Sequence, residues 1–168
     1  LADLVSPVGT AVPDTTLPPP SRTPVSVSLG SIGVSGAPVV PVGVLDDGQM
    51  EIPGRTEVGW YRFGPAPGGE GSAVLAAHIA FDNRAGVFRN LSDIELSDVV
   101  EVVFDDGTVE TFEVFELAQY GKTELPFDRV FSESGDPVLT LISCGGAFDR
   151  SVGSYEDNIV VYARPVSG

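Results

Sequence analysis

The sequence predicts an all-β fold, a closed or nearly closed barrel of short strands. Three observations carry this. Valine is abundant while glycine and proline are frequent, 20 and 14 of 168 residues, a mix that favours short strands joined by tight turns over a helical bundle. β-prone runs recur along the chain, two of them followed by Asp-Asp-Gly, a turn signal. Only one stretch, GVFRNLSDI at 86–94, reads as a helical turn, so the strands must close on one another to hide their edges.

Residues 1–24 (LADLVSPVGTAVPDTTLPPPSRTP) show neither a period of 2 nor one of 3.6. Pro18, Pro19 and Pro20 stiffen the segment towards polyproline geometry, and it reads as an extended tether. From Val25 the pattern turns to β segments, and 25–168 is expected to form one barrel domain, since the length suits one real core. VVPVGVL (39–45), Asp-Asp-Gly and QMEI predict a hairpin in which Gly48 takes a positive φ. SAVLAAH (72–78) is a strand ending in the only histidine. VVEVVF (99–104), Asp-Asp-Gly and TVETFEVFEL predict a second, stronger hairpin. PVLTLISC (137–144) is a strand ending in the only cysteine, and NIVVYA (158–163) is a final buried strand. No internal repeat is evident.

Charge excludes some functions. At a net −15 the chain offers no basic patch to neutralise phosphates, so nucleic acid is not an expected partner, and anionic lipid surfaces would repel it. No run approaches the ~18 apolar residues that span a bilayer. The chain begins at Leu1 rather than Met, and the expectation is a trimmed chain whose signal or anchor lies upstream. A single cysteine rules out an internal disulfide.

The chemistry rests on one thiol and one imidazole. Cys144 and His78 each end an apolar strand, and in a barrel two such ends can meet at one rim. A thiol is a nucleophile only as thiolate, which an imidazole can generate or stabilise. Gly145 and Gly146 keep bulk away from the thiol, and Ser143 offers a neighbouring hydroxyl. The residues alone equally allow Cys144 as a small buried hydrophobe and His78 as a hydrogen-bonded scaffold residue. No metal and no cofactor are expected, because one Cys and one His leave only carboxylates at no recognisable spacing. The acidic stretches 93–106 and 128–136 lack an Asp-x-Asp-x-Asp-Gly pattern and read as solvated faces.

Five segments in order, SIGVSGAPVVPVG, EVGWYRFGPAPGGEGSAVLAAH, GVFRNL, LTLISCGGAFD and YEDNIVVYARP, cover nearly everything from Val25 to Pro165. In these the chain resembles the sortases, specifically the class F-like sortases of actinobacteria and related Gram-positive bacteria. The resemblance implies an eight-stranded β-barrel with one or two short helical turns, anchored in the cell membrane and facing outward. It implies a cysteine transpeptidase: Cys144 cleaves the Thr–Gly bond of a sorting signal similar to Leu-Pro-x-Thr-Gly, a thioester forms, and an amine on a cell-wall precursor resolves it. The implied partners are secreted proteins bearing that C-terminal signal, the acceptor amine, and the membrane through a segment outside this chain. His78 is the implied acid/base, and Ser143, at a position where the family usually has threonine, is the implied substrate-binding residue. Residues 1–24 become the stalk between membrane and barrel.

For a thiol and an imidazole that do not interact, reference pKa values of about 8.5 and 6.5 leave only ~1% of pairs as thiolate plus imidazolium. A protonated imidazole is the group that would donate to the departing amine.

Two departures from the family pattern stand out. Sortases carry an arginine about a dozen residues past the cysteine, where this chain has Asn158, preceded by Glu156 and Asp157. Asn158 can donate an N–H to an oxyanion, and Arg150, between the cysteine and the last strand, is the other candidate; Arg129 reads as surface charge. Where the family often has Gly-His-Val-Asp, this chain has Ala77, His78, Ile79 and Ala80, with Asp82 as the nearest substitute carboxylate. A catalytically silent scaffold on the same barrel is the alternative reading. An L,D-transpeptidase, which also pairs Cys with His, expects a Ser-x-Gly-Cys-x-Arg-like environment that LISCGGAFD does not match.

Overall fold

The computed structural model describes residues 22–46, 48, 50–81, 84–121, 124–149 and 154–166, with backbone alone at 81, 144–149 and 154–156. Its strands are β1 (Pro24–Leu29), β2 (Val34–Val42), β3 (Val58–Tyr61), β4 (Ser72–Ala76), β5 (Ala80–Phe81), β6 (Arg84–Ala85), β7 (Val99–Phe104), β8 (Val109–Gly121), β9 (Val138–Asp149) and β10 (Ser154–Pro165). Eight of them close a barrel in the order β9-β10-β8-β7-β1-β2-β3-β4, with β4 returning to β9; β5 and β6 form a separate two-stranded ribbon. Among the described residues, helix is confined to one turn, α1 (Phe127–Val130), and to 3₁₀ turns at Gly30–Ile32 and Leu91–Asp93. The all-β, eight-stranded barrel expected from the sequence is the fold observed.

Alternation of inward and outward side chains builds the core. Val27 and Leu29 of β1, Val100 and Val102 of β7, Phe112 and Val114 of β8, Leu139 and Leu141 of β9 and Val161 of β10 all turn inward. Phe88 and Leu91, from the segment after the ribbon, join that core fully buried, and the 3₁₀ turn at Leu91–Asp93 falls within the helical turn expected at 86–94.

The hairpin β7–β8 forms around Asp105-Asp106-Gly107, with Gly107 at φ +86° and the Phe104 amide donating to the Thr108 carbonyl at 2.9 Å. The earlier hairpin is reduced. Gly48 does take a positive φ, +87°, and its amide donates to the Leu45 carbonyl, but among the described residues pairing amounts to a single bridge between Val44 and Met50. Its second arm runs at once into Pro53, which has no amide to continue a ladder.

Residues 1–21 of the expected tether lie outside the described residues. The barrel begins slightly before Val25: Pro24 already pairs with Phe104, and Arg22 donates to Glu110 at 2.9 Å and to Thr108 at 3.2 Å.

Candidate functional site

Most strand pairs of the barrel run antiparallel; β4 and β9 run parallel, with Ser72 beside Val138 and so on to Ala76 beside Ile142. The Ala77 amide continues the ladder by donating to the Ile142 carbonyl at 3.2 Å. His78 is the second residue beyond Ala76, and Cys144 is the second beyond Ile142. The register therefore brings the chain's histidine and cysteine to the same end of the parallel pairing, between backbones ~4.8 Å apart; β9 does not end at Cys144 as expected but continues to Asp149, because β10 goes on pairing with it.

The pair's other end is tied by a buried hydrogen bond. The Ser72 and Thr140 hydroxyls, 4% and 0% exposed, lie 2.6 Å apart on the outer face of the barrel wall.

His78 leaves β4 half-buried, and its backbone is held on two sides. The Phe88 amide donates to its carbonyl at 3.1 Å, and Phe88 is itself anchored in the core. Gly86 packs so closely that a Cβ there would collide with the His78 carbonyl. The Gly-Val-Phe of residues 86–88 thus has a structural reason: the glycine permits the approach and the phenylalanine fixes it.

Across the antiparallel pair β9–β10, the direct partner of Cys144 is Asn158, and on the far side of β10 the partner of Asn158 is Tyr120. The residue reached by counting along the sequence is thus the one the sheet puts opposite the cysteine. Its neighbour Asp157 accepts a 2.6 Å hydrogen bond from Gln119 Nε2. Ser143 occupies the inward row with Leu139 and Leu141; it is 2% exposed, and its hydroxyl has no hydrogen-bond partner among the described residues. Arg150 and Asp82 lie outside the described residues. Among those described, no group of three or more His, Cys, Asp or Glu could hold a metal ion. No described helix is long and apolar enough to cross a membrane.

Sequence reasoning missed a second cluster, further down the outer face. Arg129, read as surface charge, is engaged by two residues. Its two terminal nitrogens donate to the two Glu116 carboxylate oxygens at 3.0 and 2.6 Å, and its guanidinium lies 3.7 Å from the Tyr162 ring centre. Tyr162 shares a 3.2 Å hydrogen bond with Tyr120. Arg129's hydrogen bonds hold the Glu116 carboxyl below the ordinary glutamate value and raise the guanidinium's own. Burial, then the Tyr120 hydrogen bond, pushes the Tyr162 phenol well above the ordinary tyrosine value. Beside the cluster lies a cavity of about 230 Å³ whose walls include Ser72, Val138, Arg129 and Tyr162.

A parallel pairing that stops two residues short of both His78 and Cys144, on a closed barrel of this order, defines the class of architecture, and comparison with known proteins supplies the family. The sortase domain model matches residues 31–166, most of the chain. The chain belongs to the sortase family. Among solved structures it is similar to sortase C1 from Streptococcus suis (TM-score 0.65, 17% identity, 88% of this chain and 74% of that one). Similar likeness extends to sortase A from Corynebacterium diphtheriae (0.62, 20%, 88% and 63%). It extends also to a sortase D5 transpeptidase from Clostridium perfringens (0.62, 18%, 84% and 78%). The chain spans less than two thirds of the C. diphtheriae structure's length. At these identities the likeness speaks for the fold and does not separate sortase classes. No curated protein matches the chain.

Proposed function

We propose that this chain is an active sortase of the class F-like kind, a cysteine transpeptidase acting on secreted proteins that end in a Leu-Pro-x-Thr-Gly-like signal. The observation that carries the reading is the in-register parallel pairing of Ser72–Ala76 with Val138–Ile142, which sets His78 and Cys144 at equal distances beyond it.

The Cys144 thiolate adds to the threonine carbonyl carbon, and the resulting oxyanion takes an N–H from Asn158, with Arg150 as the other candidate donor. The C–N bond then breaks as His78, protonated, gives its proton to the departing glycine amine, leaving a thioester. An amine from a cell-wall precursor attacks the thioester carbonyl, His78 removes its extra proton, and the C–S bond breaks to regenerate the thiolate. No cofactor enters these steps. Ser143, buried in the inward row, serves the peptide through its backbone and the set of the strand rather than through its hydroxyl.

In this reading the barrel works on the outer face of the cell membrane, joined by residues 1–24 to an anchor upstream. One observation favours the alternative, a silent scaffold: the partner of Cys144 on β10 is Asn158 where the family has arginine nearby. The two readings separate in a transfer assay with a sorting-signal peptide library and an amine acceptor, analysed by chromatography. An active sortase yields the peptide–amine product with wild type and none with Cys144→Ala; no product with any peptide supports the scaffold.

A further inference from the structure

We infer that Arg55, Arg84 and Arg89 form an anion site on the rim beside His78, and that its ligand is a carboxylate carried by the acceptor amine. The acceptor role rests on the sortase reading; the anion site does not.

In a chain of net −15, cations without a partner stand out. Among the described residues, Arg22, Arg62, Arg129 and Arg164 each lie over an aromatic ring, and Arg22 and Arg129 also pair with a glutamate. Arg55, Arg84 and Arg89 have neither a ring nor a carboxylate among those residues, and all three converge on the segment that follows His78. Arg55 Nη1 donates to the Ala85 carbonyl at 3.1 Å, which sets a half-buried guanidinium from the β2–β3 connection against the ribbon. Arg84 is the residue before Ala85, on β6, and is exposed. Arg89, also exposed, follows the ribbon in a turn closed by its amide on the Gly86 carbonyl at 3.2 Å.

Gly86 lies against the His78 carbonyl, and it fixes how near the charges are. Two residues of chain span at most about 7 Å, and a hydrogen-bonded turn brings its ends within about 7 Å. The Cα atoms of Arg84 and Arg89 therefore both lie within that distance of Gly86. The β3–β4 register agrees for Arg55. Gly59 pairs with Ala76, so continuing the register brings Glu57 level with His78 and Arg55 level with Ala80, the ribbon partner of Ala85. Glu57 and Asp82 are the acidic residues of 55–57 and 78–91, so the arginines outnumber the carboxylates there. Glu51 is engaged elsewhere, by the Gly43 amide at 3.3 Å.

An arginine presents five N–H donors in a fork that matches a carboxylate. Among the described residues the Arg55 side chain uses one of them, on Ala85. The place of the site says which carboxylate it meets. Asn158, Cys144 and His78 occupy one level of three adjacent strands. The glycine amine leaves between Cys144 and His78, and by microscopic reversibility the acceptor amine enters the same gap. Its nitrogen bonds to the thioester carbonyl carbon, the C–S bond breaks, and His78 takes the extra proton. Asn158 flanks the other side of Cys144, so the rest of the acceptor extends past His78, towards the arginines. A carboxylate within a Debye length of them, about 8–10 Å, is attracted by all three. Each exposed charge at about 7 Å contributes about twofold in water, so an anionic acceptor should be favoured about fivefold to tenfold over a neutral one.

The test uses acceptors that differ only in charge, Nα-acetyl-lysine against its amide and diglycine against diglycinamide, with a sorting-signal peptide as donor. In wild type, kcat/KM for the acceptor should favour the acid of each pair by about fivefold to tenfold at low salt. The preference should fall to within about twofold at high salt, as a screened attraction must. Arg84→Gln/Arg89→Gln should lose most of the preference at low salt while forming the thioester, without an amine, at the wild-type rate. NMR titration of the free wild-type protein with Nα-acetyl-lysine should shift the signals of Arg55, Arg84 and Arg89, and titration with the amide should not. Equal use of acid and amide by wild type, or a preference that survives in the double variant, overturns the acceptor role. No transfer to any of the four amines overturns the acceptor role, and failure to form the thioester as well overturns the sortase reading. The NMR titration decides the anion site in every case: arginine signals that do not move, or that move equally with the amide, overturn it.

Discussion

Cys144 and Asn158 stand opposite each other as direct cross-strand partners of β9 and β10. Partners in an antiparallel pair have Cα atoms about 4.5–5.5 Å apart, so the residue occupying the expected arginine position is a neighbour of the cysteine through the sheet itself. If Asn158 stabilises the oxyanion, Asn158→Ala should lower kcat by about 100-fold, the usual effect of removing one such donor. Asn158→Asp should be worse, since it sets a carboxylate where negative charge develops. Steady-state kinetics with a sorting-signal peptide decide this; an unaffected kcat in both variants shifts the role to Arg150.

Gly86 and His78 supply a second prediction. Because a Cβ on Gly86 collides with the His78 carbonyl, Gly86→Ala must displace the histidine's backbone or its own segment. Overpacking of this kind costs about 1–3 kcal/mol. Thermal unfolding should register that loss, and turnover should fall more than tenfold although residue 86 touches no reacting atom. Full activity would mean that the histidine's backbone setting is unimportant.

The Ser72–Thr140 hydrogen bond ties the parallel pair on which the alignment of His78 and Cys144 depends. Thr140→Val or Ser72→Ala alone leaves a buried hydroxyl without its partner and should cost about 1–3 kcal/mol. Removing both should cost less than the sum of the two, and a double-mutant cycle in denaturant measures the coupling.

Ser143 should behave in the opposite way. Its buried hydroxyl has no partner among the described residues, so Ser143→Ala removes a desolvated polar group. The melting temperature should hold or rise, and turnover should stay within a few-fold of wild type. A tenfold loss of turnover would place the hydroxyl in the chemistry after all.

Acid should weaken the Arg129–Glu116 pair. Arg129's hydrogen bonds depress the Glu116 pKa in the folded protein, so the carboxylate's contribution is fully present above its unfolded value of about 4.3 and is lost as pH falls through the lower folded one. An NMR titration should find the Glu116 midpoint below that of an ordinary glutamate in wild type and returned towards it in Arg129→Ala.

How much of this was legible in the sequence depends on whether the signal was local. The β7–β8 hairpin was readable because Asp105-Asp106-Gly107 specifies the turn and the flanking residues are β-prone. The end of β4 just before His78 was readable because the apolar run stops there; the apolar run ending at Cys144 did not mark the end of β9, which continues to Asp149. The pairing of the two strands was not readable, since no local code sets the register of two parallel strands more than sixty residues apart in the chain. Strand β3, four residues long and containing a glycine, is too short to show alternation, though its Gly-Trp-Tyr falls within one of the segments that carry the family resemblance. β9 runs on past Cys144, where the sequence predicts the strand to end; β10 pairs with Gly145 and, beyond an irregularity in the register, with Phe148 and Asp149. Arg129 looked like surface charge because Glu116 is 13 residues away and Tyr162 lies on another strand; only the returning chain brings the three together.

Everything proposed for the site turns on Cys144 forming an acyl bond with a sorting signal, and intact-protein mass spectrometry tests this directly. Wild-type protein incubated with a Leu-Pro-x-Thr-Gly peptide library, without an added amine, should gain the mass of the peptide truncated after threonine. The adduct should map to Cys144, be absent from Cys144→Ala and form more slowly in His78→Ala. A wild-type protein that gains no such mass with any peptide, while its thiol reacts ordinarily with an alkylating agent, would contradict the claim and leave the barrel a scaffold.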